Sequence, residues 1–138
     1  MKHLTYLAFI LLPCMASAQS PVGTWKTVDD DSGDARSYVE IYEKGGMLFG
    51  KITKLLDKDP GVICEPCTGA KKDKPVLGLV IIESLKPYKD YWRKGTILDP
   101  ENGKEYDCTI WLEEGTLKVK GKHWSGFSRT QTWYPSES

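Results

Sequence analysis

The sequence predicts an all-β fold: a single closed or nearly closed up-and-down antiparallel β-barrel of about eight strands. Three observations predict it. Short segments rich in β-branched and aromatic residues recur along the chain, separated by turn chemistry. Most of the connections are too short for anything but antiparallel pairing of neighbours. Closing the sheet also removes the bare edge that an open meander would leave. A β-sandwich is the competing architecture. It needs a long crossover, and only the stretch near residues 56–75 could supply one.

The segments follow in order. VGTWKTV (22–28) is β-branched and aromatic, and DDDSGDA (29–35) is a polar turn. RSYVEIYE (36–43) alternates, with Val39 and Ile41 on one face and Tyr38, Glu40 and Tyr42 on the other. Lys44-Gly45-Gly46 is a hairpin turn whose glycines accept positive φ. MLFGKITKLL (47–56) reads as a long strand with Leu48, Gly50 and Ile52 on one parity. VLGLVIIESL (76–85) is almost wholly apolar, and Val80, Ile81 and Ile82 favour a strand buried on both faces over a short helix. DYWRKGTILD (90–99) and KEYDCTIWLE (104–113) flank a turn containing Asn102-Gly103. TLKVKGKHW (116–124) and SRTQTWY (128–134) complete the count.

The first twenty residues, MKHLTYLAFILLPCMASAQS, combine Lys2, an apolar run over Leu4–Leu12 and the small-residue site Ala16-Ser17-Ala18. That is the pattern of a signal peptide over 1–18, cut after Ala18, so an exported protein is expected, periplasmic or extracellular. Cys14 follows Pro13, where a lipid-attachment site wants a small residue, so a lipoprotein is not expected. Residues 19–138 then form one domain. Lys2 is the only charged residue lost, which leaves 18 basic against 19 acidic side chains. That balance argues for no nucleic-acid partner. No apolar run is long enough for a membrane-spanning helix.

Cys64-Glu-Pro-Cys67 lies in the long loop 56–75, and Cys108 lies on the parity of Tyr106, Ile110 and Leu112. In an oxidising compartment a disulfide is the first expectation. Closing the Cys64–Cys67 ring is worth about 2 kcal/mol in the chain-entropy model, and a Cys64–Cys108 link about 4 kcal/mol. With Cys108 facing inward, proximity favours Cys64–Cys67, leaving Cys108 a buried free thiol. A thiol-redox centre is the weaker alternative, because no helix is written after Cys67 to stabilise a thiolate. A structural metal site would need all three cysteines plus His123, and neither a metal nor another cofactor is expected.

Gly23-Thr24-Trp25 resembles the G-x-W signature that opens strand one of lipocalin-like barrels. The resemblance implies that a last-strand arginine, here Arg129, stacks on Trp25 and closes the barrel. A closer resemblance spans nearly the whole exported chain. GTWKT, VEIYEKGGMLFGKITKLLD, CEPC, KPVLGLVIIESLK, GTILDPENGKEYDCTIWLE and GFSRTQTW are similar to the secreted bacterial family called domain of unknown function 2147. That resemblance implies a small lipocalin- or streptavidin-like barrel. Members often carry a hydrophobic segment before the arginine of the last motif. Here HWSGFSRTQTW is shortened just ahead of Arg129.

Function follows less directly. No histidine–carboxylate–nucleophile set or phosphate loop is present, so catalysis has little support. Five tryptophans and six tyrosines in the exported segment would suit an aromatic-lined interior, although a small barrel also uses bulky residues to fill itself. The expected activity is non-enzymatic binding of a small apolar or amphipathic molecule, near a mouth covered by the 56–75 loop. Tyr38, Trp92, Tyr106 and Gln131 are the candidate ligand contacts. The alternative is an interaction module that encloses nothing and works through Trp111 and the lysines of the loop.

Overall fold

The computed structural model describes residues 2–11 and 19–136. The expectations about Cys14 and the Ala18 cleavage site fall outside them. Leu4–Leu11 lie exposed.

Eight strands form the closed antiparallel barrel, each paired with its neighbours in sequence. They are β1 (Gly23–Val28), β2 (Ala35–Lys44), β3 (Met47–Leu55), β4 (Val80–Tyr88), β5 (Tyr91–Asp99), β6 (Lys104–Glu113), β7 (Thr116–Lys122) and β8 (Ser128–Pro135). Among the described residues the one helical element is a three-residue 3-10 turn, Gly69–Lys71.

The two ends of the barrel differ. At one end three two-residue hairpins join the strands, after Lys44, Tyr88 and Glu113. Gly45 and Gly46 have φ of 61° and 77°, the doubly left-handed pair that matches strand twist in such a turn. The longer connections, 29–34, 56–79, 100–103 and 123–127, all gather at the other end. In the first of them Asp29 accepts hydrogen bonds from the backbone N–H groups of Ser32 and Asp31, which hold its carboxyl below the usual carboxylate range.

Strand boundaries follow the sequence closely except at β4. The apolar run starting at Val76 does not enter the sheet there. Gly78, at φ 88°, turns the chain, and the Val76 N–H donates to the Val62 carbonyl within the loop. Val76 and Leu79 are nevertheless buried, together with Cys64, Cys67 and Ile81. Ile81 and Ile82 are both buried, as a strand covered on both faces requires.

Closure occurs by a different residue pair from the one the resemblance implied. Trp25 pairs with Pro135 and Lys26 with Tyr134, and the Trp25 indole N–H donates 2.8 Å to the Pro21 carbonyl. Arg129 instead forms an ion pair with Asp30. The reason is strand direction. β8 runs antiparallel to β1, so its last residues meet Trp25. Arg129, six residues earlier, lies about 20 Å away along the strand, at the opposite end of the barrel. The barrel is closed, but not by an arginine stacked on that tryptophan.

The 56–79 loop is organised rather than loose. Cys64 and Cys67 form a disulfide, and both residues are buried. Ile63 bridges Pro75, and the Cys64 N–H donates 2.8 Å to the Lys74 carbonyl. The pinned segment rests on the β5–β6 turn. A Cβ added at Gly103 would lie 2.0 Å from the Pro66 carbonyl oxygen, so Gly103 is the place where two backbones touch.

Candidate functional site

The inward-facing positions decide where the barrel is solid and where it is hollow. Along β2 they run Ile41, Val39, Ser37, and along β7 Leu117, Val119, Gly121, both shrinking from the hairpin end to the loop end. The hairpin end is sealed by Ile41, Leu48, Leu85, Ile110 and Leu117, all fully buried, with Trp25 beside them. At the loop end there is less side chain to fill the same circumference. A cavity of about 540 Å³ results, open to solvent at that end.

Three layers line it. The floor is apolar: Ile52 from β3, Ile97 from β5, Val119 from β7 and Trp133 from β8, with Val76 supplied by the loop. The middle carries Thr27 and Ser37, whose hydroxyls hydrogen-bond at 2.7 Å, and Gln131, which accepts 3.2 Å from the Trp133 indole N–H. The mouth is charged. Arg36 pairs with Asp57 (3.5 Å) and Glu101, and Lys58 reaches Glu101 at 3.2 Å. Lys104, His123 and Arg129 complete the rim. An apolar pocket with a few polar groups and a hydrated entrance is the usual form of a small-molecule site.

The structure brings together two of the four sequence candidates, Tyr106 and Gln131, both on the cavity wall. Trp92 is elsewhere. It pairs with Ile110 and packs half-buried against the core in the sealed half of the barrel. Tyr38 is on the outside, because Val39 and Ile41 occupy the inward parity, and Lys54 Nζ lies 5.8 Å from its ring centre. Thr27, Ser37 and Gly121 were not singled out beforehand, and His123 only as a candidate metal ligand. The signal for three of them was legible in the shrinking inward series of β2 and β7 and in the parity of Thr27 with Trp25.

Cys108 is buried and free, on the inward parity of β6, and burial pushes its thiol up to about 12. A thiol held neutral in this way is a packing residue. The bridged Cys64 and Cys67 are buried too, and the turn that follows them is too short to lower a thiolate pKa as a helix N-terminus would. Among the described residues no three metal-ligating side chains converge. No helix of the described chain is long and apolar enough to cross a membrane.

No curated protein matches this sequence. A similar solved structure is described as "Protein HP1028 from the human pathogen Helicobacter pylori belongs to the lipocalin family". It shares 17% identity at a TM-score of 0.73, covering 85% of this chain and 83% of its own, which is a likeness of fold. Residues 23–134 match the family described as "Uncharacterized protein conserved in bacteria (DUF2147)", and the chain belongs to that family.

Proposed function

We propose that this protein binds a small apolar or amphipathic molecule in the one-ended cavity of its barrel, without chemistry on it. The observation that carries the reading is the space itself: about 540 Å³, floored by apolar side chains and rimmed by charged ones at the loop end. Removing apolar ligand surface from water there is worth about 25 cal/mol per Å². The charged rim stays hydrated and suits a polar head group. An eight-stranded barrel is also of the size that holds one small ligand.

The test is fluorescence titration with N-phenyl-1-naphthylamine, an uncharged probe that brightens in apolar surroundings. Gly121→Leu supplies the control. A Cβ at Gly121 makes only ordinary contacts, the nearest 3.4 Å from the Tyr106 Cβ, so the rest of the leucine must enter the cavity. Saturable binding by the parent protein is expected, with at least about a tenfold loss in Gly121→Leu at unchanged fold. Equal binding by both would place the probe elsewhere and sink the proposal.

The reading includes export. Lys2, the Leu4–Leu12 run and Ala16-Ser17-Ala18 support it, as does a bridged cysteine pair. N-terminal sequencing of protein recovered outside the cytoplasm should begin at Gln19; an intact Met1 terminus would contradict it.

A further inference from the structure

Three side chains of the cavity wall are oriented by hydrogen bonds to neighbouring lining residues, and each is left as a donor. Gln131 on β8 is the first. The Trp133 indole nitrogen can only donate, so the oxygen of the Gln131 amide must accept from it (3.2 Å), leaving the amide NH₂ for the cavity. Tyr106 on β6 is the second. The Lys104 backbone N–H donates 2.8 Å to Asn102 Oδ1, which fixes that amide too. Asn102 Nδ2 therefore donates 3.2 Å to the Tyr106 oxygen, and the phenol keeps its own proton to give. His123, just beyond β7, is the third. Nδ1 meets both the Ser125 hydroxyl (2.8 Å) and the Ser125 backbone N–H (3.2 Å); the N–H can only donate, so Nδ1 accepts and the neutral ring carries its proton on Nε2. The Tyr106 and His123 ring centres are 6.1 Å apart, and Gly121 leaves the space beside them open.

The neighbouring carboxylates do not offset this bias. Asp57 and Glu101 are engaged by Arg36, and Asp99 accepts the Glu101 N–H at 2.9 Å. Among the described residues no fully buried side-chain polar atom lacks a partner, so the Gln131 NH₂ and the His123 Nε2, which make no hydrogen bond there, are open to water. Filling the cavity with a pure hydrocarbon would strip water from them and leave them unpaired, which is costly.

We infer that the ligand carries acceptor oxygen, a carbonyl or carboxylate on an apolar body, which the donor wall of Tyr106, His123 and Gln131 receives while Ile52 and Val76 hold the hydrocarbon. This rests on the cavity being a binding site. In place of a nonspecific greasy pocket, it predicts selection among ligands of equal length by hydrogen-bond sense.

The experiment is displacement of N-phenyl-1-naphthylamine by decanoic acid, 2-undecanone, decylamine and undecane. The acid and the ketone should displace the probe at about tenfold lower concentration than the amine or the alkane. Gln131→Leu and Tyr106→Phe should each cut that advantage by about two- to tenfold, measured against undecane on the same variant, as loss of one hydrogen bond requires. If the probe never binds, the cavity reading fails and this inference with it. If the probe binds but the four competitors act alike, the donor wall alone is overturned. An advantage confined to the acid would also overturn it, assigning recognition to the cations of the rim.

Discussion

Gly103→Ala drives a methyl carbon into the Pro66 carbonyl. The added Cβ would sit 2.0 Å from that oxygen and 2.5 Å from its carbon, where real Cβ contacts are essentially never under 3.0 Å. The turn and the disulfide loop must therefore separate by about 1 Å. Gly103 also has φ of 73°, a conformation that costs a non-glycine residue about 1 kcal/mol. Overpacking adds about 1–3 kcal/mol. A total of about 2–4 kcal/mol lowers Tm by about 8–16 °C in a domain of this size. Gly45→Ala isolates the contact. Gly45 has a similar φ, 61°, but a Cβ there meets nothing within 4 Å, so only the backbone cost applies, about 4 °C. Thermal unfolding followed by circular dichroism compares the two. Equal losses would show that the loop does not rest on the β5–β6 turn, and would refute the packing described for that rim.

Two further outcomes concern the cysteines. Replacing both Cys64 and Cys67 by alanine removes a short covalent ring and should cost about 2 kcal/mol, seen as a Tm about 8 °C lower; an unchanged Tm would deny the bridge any structural role. Cys108 should resist iodoacetamide at pH 8 in the native protein and react once urea is added, read by mass spectrometry. Its folded pKa of about 12 lies above the ordinary thiol value of 9.0, so the unfolded thiol ionises first. Cys108's contribution to stability is therefore intact below about pH 9 and falls as pH rises towards 12, and a Cys108→Ala variant should lack that alkaline decline.

Much of the fold was legible in the chain because alternation reports burial directly. Val39 and Ile41 facing in, with Tyr38 and Tyr42 facing out, is the observed arrangement of β2. That same pattern already counted against Tyr38 as a ligand contact. Strand direction was legible too, yet the resemblance drew Arg129 towards Trp25 when antiparallel order sends it to the far end. The start of β4 was hidden because Val76 and Leu79 are as apolar as any strand residue; they are buried by loop packing, which carries no period. The cavity itself depends on Ser37 and Gly121 being small at one level of the barrel. Each strand's inward series shows one of them, but the vacancy is a property of several strands at once.

We propose that the hollow loop end of this barrel receives a ligand between Ile97, Val119 and Gln131. Amide and methyl NMR spectra recorded while N-phenyl-1-naphthylamine is added test it most directly. Shifts should concentrate on those residues and on Trp133 and Gly121, with the sealed-end Leu48 and Leu85 unmoved. Perturbation centred on the outer tyrosines Tyr38 and Tyr42, with the interior silent, would contradict it.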